Sequence, residues 1–161
     1  MKAGARRARS RPNERTNVIV LDAYALEAFL NLEPAAQIVR DLISSGEQVV
    51  ITGVNLGETV DRMIRVNGAA RDDLENDIVT LGITITGVDA TVGFDAAALR
   101  ANHYHRTRRA VSVADCCAAA LALDREALLV SSDPALLGLM YDEGGRYLAL
   151  PDSGGGVWSH S

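Results

Sequence analysis

The sequence predicts an α/β fold with a parallel sheet covered on both faces, and three observations carry that reading. Short apolar segments without polar–apolar alternation recur along the chain, the pattern of strands buried on both sides. Longer segments of helical character separate them, so successive strands are joined by crossovers. Hydrophobic residues make up 48% of the 161 residues against 4% aromatics, which gives one domain a core of Ala, Val, Leu and Ile.

The elements follow in order. Residues 1–16 lack apolar periodicity and read as a basic, disordered leader. "NVIVLD" (17–22) is a buried strand, and "AYALEAFLNL" the helix after it. "PAAQIVRDLISSG" (34–46) opens on Pro34, a favoured first helical residue, and stops at Gly46. "EQVVITGV" is the second strand; its helix, "LGETVDRMIRV", ends at Asn67-Gly68. "AARDDLENDIVTLG" (69–82) is a helix, "ITITGV" (83–88) the third strand and "DATVGFDAAALRANHY" another helix. An arginine-rich loop, "HRTRRAV", leads into a very apolar helix over 113–125. Strand "ALLVSS" follows, then a short helix from Pro134 and a last strand, "RYLAL". Residues 17–150 thus form the folded domain, and 151–161 read as a flexible tail.

Charge is uneven. Residues 1–17 carry six basic side chains against Glu14, a net of +5, so the remainder carries −10 within the total of −5. So acidic a body is a poor non-specific binder of nucleic acid, and a polyanionic substrate would need local arginines or metal ions. No run of about 18 uncharged apolar residues occurs, so no membrane-spanning helix is expected. No apolar segment follows the basic start as a secretory signal would require. Cys116 and Cys117 are adjacent; helix neighbours point about 100° apart and do not bridge, so both read as small core residues in a reducing cytoplasm.

Four acids stand out. Asp22 ends the first strand, Glu58 lies in the first turn of the helix after the second, Asp115 in the first turn of the apolar helix, and Asp133 ends the strand after it. Each has an ordinary explanation as a helix cap: Asn55…Glu58 and Ser112…Asp115 both fit a capping box, and Asp133-Pro134 is a common helix start. Their joint position argues for more. All four belong to strand-to-helix junctions, and a parallel sheet gathers such junctions in one crevice. Carboxylates sharing a crevice raise one another's pKa unless a cation neutralises them, and helix N-termini supply only about half a charge each. An all-oxygen donor set favours Mg²⁺ or Mn²⁺ over zinc. Such an ion activates water and stabilises charge in phosphoryl transfer.

These segments resemble the PIN-domain ribonucleases, and most closely the VapC-type toxins of bacterial toxin–antitoxin pairs. "VIVLDAYAL" looks like the family's opening strand and first acid, "NLGETVDR" like its second motif, "SVADCCAAALAL" like its third and "LLVSSDPAL" like its fourth. The order and spacing match over about residues 18–150. The resemblance implies a three-layer α/β/α sandwich, Mg²⁺- or Mn²⁺-dependent endonuclease activity on RNA, a homodimer and a cognate antitoxin. It makes Asp22, Glu58, Asp115 and Asp133 the catalytic acids, with Asp22 and Asp115 as direct metal ligands and Glu58 and Asp133 either acting through water or orienting the attacking hydroxide. Ser131 is either a supporting hydrogen-bond donor or a plain turn hydroxyl. The leader lies outside the pattern.

Other features have two readings. Arg106, Arg108 and Arg109 are candidates for RNA phosphate contacts, or a solvated basic loop. His103 and His105 make an H-x-H without a third soft ligand nearby. Asp72, Asp73, Glu75 and Asp77 read as a solvated helix face, Tyr24 as a core or groove residue, and the 154–156 glycines as no phosphate loop. A phosphoacceptor receiver would need a late lysine, but Lys2 is the chain's lysine; a dehalogenase-type phosphatase wants Asp-x-Asp where this chain has Asp22-Ala23-Tyr24. A solitary ribonuclease without an antitoxin, or a non-catalytic PIN-like binding module, stays open; a degenerate module would be expected to lose acids, and all four are filled.

Overall fold

The computed structural model describes residues 17–160; the leader of residues 1–16 lies outside the described residues. Five strands form one parallel sheet: β1 (Val18–Leu21), β2 (Gln48–Thr52), β3 (Thr84–Thr86), β4 (Leu128–Ser131) and β5 (Arg146–Ala149), in the order β3-β2-β1-β4-β5. The helices are α1 (Ala23–Leu30), α2 (Ala36–Ile43), α3 (Gly53–Asn67), α4 (Arg71–Leu81), α5 (Ala90–His103), α6 (Val113–Asp124) and α7 (Pro134–Asp142). None of them is long and apolar enough to cross a membrane.

Successive strand residues face opposite sides, and here each side has its own core. Val20, Val50 and Leu129 pack with α5, α6 and α7, including Val92, Leu99, Leu121, Leu136 and Met140. Ile19, Leu21, Val49, Ile51 and Val130 pack with Leu26, Val39 and Ile78 from α1, α2 and α4. The result is the expected three-layer α/β/α sandwich. It explains why α6 is apolar almost all round: Cys116 through Ala122 are buried. Both cysteines are free, and burial pushes Cys116 up to about 11 and Cys117 upward, so neither is a ready nucleophile.

Two local expectations need correction. Helix α3 starts three residues before the anticipated Leu56, because Thr52, the last residue of β2, caps it by accepting the Asn55 amide at 3.1 Å. Asn55 is therefore the third helical residue rather than a cap, and Glu58 falls in the second turn. Pro34 does not open α2; it sits in a turn, and the helix starts at Ala36.

Strand order reverses at β1: the chain moves outward to β2 and β3, then returns to β4 beside β1. The crevice at the carboxyl ends of β1 and β4 is the place where such sheets bind ligands. Asp22 and Asp133 flank it directly.

At the end of α1, Leu32 adopts φ 55° while Glu33 N–H returns to the Ala28 carbonyl at 2.9 Å. A leucine in this left-handed conformation costs about 1 kcal/mol, and its side chain is exposed. Leu32→Gly is expected to raise the unfolding free energy by about 1 kcal/mol in urea titration.

Candidate metal and phosphodiester site

Each acid reaches the crevice because of how its helix begins. Asp22 caps α1, its Oδ1 accepting the Ala25 amide at 2.8 Å, and it is 3% exposed. Asp115 belongs to a capping box on α6: Ser112 N–H donates to Asp115 Oδ2 at 2.7 Å, and Asp115 N–H donates to Ser112 Oγ at 3.0 Å. Asp133 caps α7 through the Ala135 amide at 2.8 Å. Glu58 points in from the second turn of α3. The capping reading of three of these acids is thus correct, and it coexists with a shared cavity: all four line one cleft of about 360 Å³. Asp89 is the instructive contrast. It caps α5 through the Val92 amide at 3.0 Å, yet it follows the edge strand β3 and does not line that cleft.

The acids sense one another. Burial pushes the Asp22 carboxyl up to about 7, against the pull of the Ser131 hydroxyl and the Ala25 amide, and Asp115 and Asp133 add to the rise. Burial also raises Glu58 and Asp133, with Asp115 pushing on both. Ser131 is fully buried between them; its Oγ accepts the Asp133 amide at 2.9 Å while its hydroxyl bonds Asp22.

Among the described residues no three His, Cys, Asp or Glu side chains are drawn together as a finished metal cage. The reason lies in the caps, since Asp22, Asp115 and Asp133 each turn an oxygen toward their own helix amides. The donor chemistry nonetheless fits a hard divalent ion: four carboxylates share one cleft, and burial holds the Asp22 carboxyl well above the usual carboxylate range.

The arginines do not sit where the sequence suggested looking. Arg106, Arg108 and Arg109 occupy a turn closed by the His105–Arg109 bridge, and none lines the cleft. Arg109 lies across α7 over Gly138 and binds Asp142 and His103 Nδ1. A Cβ on Gly138 would stand 3.1 Å from its guanidinium. His103 also meets Glu143, and His105 Nδ1 accepts the Thr107 and Arg108 amides at 3.3 and 3.2 Å, so both histidines are engaged within the chain. Asp72, Asp73, Glu75 and Asp77 form an exposed face of α4. Tyr24 lines the cleft and donates to the Pro151 carbonyl at 2.9 Å. The cleft holds four charged residues besides the four acids: Glu27, Asp61 and Arg62, the last two at the end of the second motif, and Arg65. The available signal was spacing, because Glu58, Asp61, Arg62 and Arg65 recur at one helix face.

The PIN-domain family model matches residues 19–138, most of the chain. This chain belongs to the PIN-domain family. Solved structures show the same fold at low identity. VapC20 of Mycobacterium tuberculosis, described as a sarcin-ricin loop cleaving toxin, has a TM-score of 0.60 at 18% identity, covering 74% of this chain and 93% of that one. FitAcB from Neisseria gonorrhoeae reaches 0.59 at 18%, covering 81% and 96%. VapBC2 from Rickettsia felis, bound to a fragment of promoter DNA, reaches 0.57 at 13%, covering 81% and 97%. No curated protein sequence matches.

The raised Asp22 carboxyl makes a prediction about stability. Between its unfolded value near 3.8 and about 7, the folded metal-free chain holds the extra proton. Stability is therefore fullest below the lower value and falls as pH rises toward and through the upper one. Asp22→Asn keeps the cap and removes the titration. Without metal, the loss of unfolding free energy between pH 5 and pH 8 should shrink in the variant by an amount on the order of a few kcal/mol, read from urea titrations at each pH.

Proposed function

We propose that this PIN domain is a divalent-metal-dependent endoribonuclease and the toxin of a type II toxin–antitoxin pair. The observation that carries the reading is the meeting of Asp22, Glu58, Asp115 and Asp133, from four separate helices, in one cleft at the switch point of the sheet. Family membership supports a nuclease, and the toxin and toxin–antitoxin structures that share the fold support the biological setting. The buried free thiols suit a reducing compartment, the cytoplasm.

Asp22 and Asp115 would hold the ion directly, with Glu58 and Asp133 reaching it through water. When bound, Mg²⁺ or Mn²⁺ supplies positive charge to the phosphoryl oxygens and lowers the pKa of the attacking water. The chain's own residues prepare that chemistry. The Ala25 amide and Ser131 hydroxyl fix the Asp22 carboxylate, and Ser131 ties it to the backbone of Asp133. The Ser112 capping box fixes Asp115 at the start of a helix that cannot shift without unpacking the core. Glu58 and Asp133, whose carboxyls burial raises, line the same cleft and would orient the attacking water.

A pool of structured and unstructured RNAs, incubated with the purified chain in Mg²⁺, Mn²⁺ or EDTA, should be cut only with metal. Asp22→Asn and Asp115→Asn should each lower cutting by more than about 100-fold, beyond the loss typical of residues that merely support a ligand. Cleavage that survives either substitution would sink the assignment. In the same preparations Mg²⁺ should raise the melting temperature of the wild-type chain and leave that of Asp22→Asn nearly unchanged.

A further inference from the structure

The cleft poses a problem of charge. Six carboxylates line it, those of Asp22, Glu27, Glu58, Asp61, Asp115 and Asp133, against the guanidinium groups of Arg62 and Arg65. An RNA strand brings further negative charge on both sides of the bond to be cut. Metal ions held by the four acids answer only the charge at the reacting phosphate, so the flanking phosphates need cations from the protein.

We propose that Arg62 and Arg65 of α3 bind the phosphates flanking the scissile one, and that Glu27 is the positioning residue for Arg62. This rests on the nuclease reading of the cleft and names the residues that hold its substrate strand. The two arginines lie on the helix face that carries Glu58, about 6 and 10 Å along the axis from it at 1.5 Å per residue. They therefore form a line leading away from the acids rather than a cluster on top of them. The side chain of Arg62 is 65% exposed, yet its Nε is held 3.3 Å from Oε2 of Glu27, a buried residue of α1. Held by that edge, the guanidinium keeps its remaining donors for a phosphate, which a planar fork meets with two parallel bonds.

Glu27 has no other evident purpose at this place. A buried carboxylate on the wall of an acidic cleft adds to the repulsion unless it anchors a cation, and the cation it anchors is Arg62. Arg65 is paired with Asp61 through Nε at 3.3 Å and Nη2 at 3.1 Å, both partners being exposed. A surface pair of this kind exchanges readily for a phosphate. The turn over 105–109 offers less: Arg109 is committed to Asp142 and His103, and neither Arg106 nor Arg108 lines the cleft.

The test is RNA binding without cleavage. A fluorescein-labelled, mixed-sequence, single-stranded 20-nucleotide RNA is titrated with the full wild-type chain by anisotropy, with Ca²⁺ in place of Mg²⁺ so that the strand is held without being cut, over a series of KCl concentrations. Arg62→Gln and Arg65→Gln should each weaken binding several-fold and flatten the slope of log affinity against log salt by about one. Arg62→Lys, which keeps the charge but not the fork, should retain the slope and lose affinity. Glu27→Gln should weaken binding when Arg62 is present and have no effect in the Arg62→Gln background, a non-additivity that simple unfolding does not produce. Slopes unchanged by both arginine variants, or reduced instead by Arg106→Gln with Arg108→Gln, would overturn this assignment alone. A chain that binds no RNA at any salt would overturn it together with the nuclease reading.

Discussion

Everything at the candidate site depends on one compromise between helix capping and charge repulsion. A parallel sheet delivers its strand ends and helix starts to the same edge, and helix starts want anionic or hydroxyl groups. Using aspartate at β1, α6 and β4 satisfies the local demand of each helix. It also loads one edge with more negative charge than the amides can stabilise. Burial raises the Asp22 carboxyl most, and the nearby Asp115 and Asp133 add to that rise. A fold made only for stability would relieve it with serine or threonine, as Thr52 does at the start of α3.

Much of this was readable from residues alone. β1, β2 and β4 announce themselves as short apolar runs, because both of their faces are covered and no alternation is needed, whereas the edge strand β3 is an exposed, alternating Thr-Ile-Thr. The acids were legible as a set through the regularity of their placement, not through any single motif. What escaped has physical reasons. Thr52 reads as a strand residue, which it is, but its hydroxyl is also a cap, and that second role moved the start of α3 and the turn that holds Glu58. Pro34 suits a first helical turn equally well as the bend that precedes it.

The arginines show the harder limit. A charged residue on a helix face has the same local signature whether it faces solvent or the wall of a cleft, so the spacing of Arg62 and Arg65 from Glu58 was the one sign they gave. Arg109 carried a misleading one, since a basic loop beside an acidic motif suggests a polyanion ligand. Its partner, Asp142, lies far along the chain at the other end of α7, and only the packing of the 105–109 turn against that helix reveals the pair. Pairings between distant segments are what local sequence patterns convey least.

That crossing of Arg109 over α7 has a consequence for how such chains diverge. The guanidinium occupies the space that a side chain at position 138 would need. A side chain at 138 would therefore push the guanidinium end of Arg109 aside and loosen its hold on Asp142. Among relatives that keep this fold, positions 109, 138 and 142 should drift as a correlated trio, while Asp133 at the far end of the same helix stays independent of them.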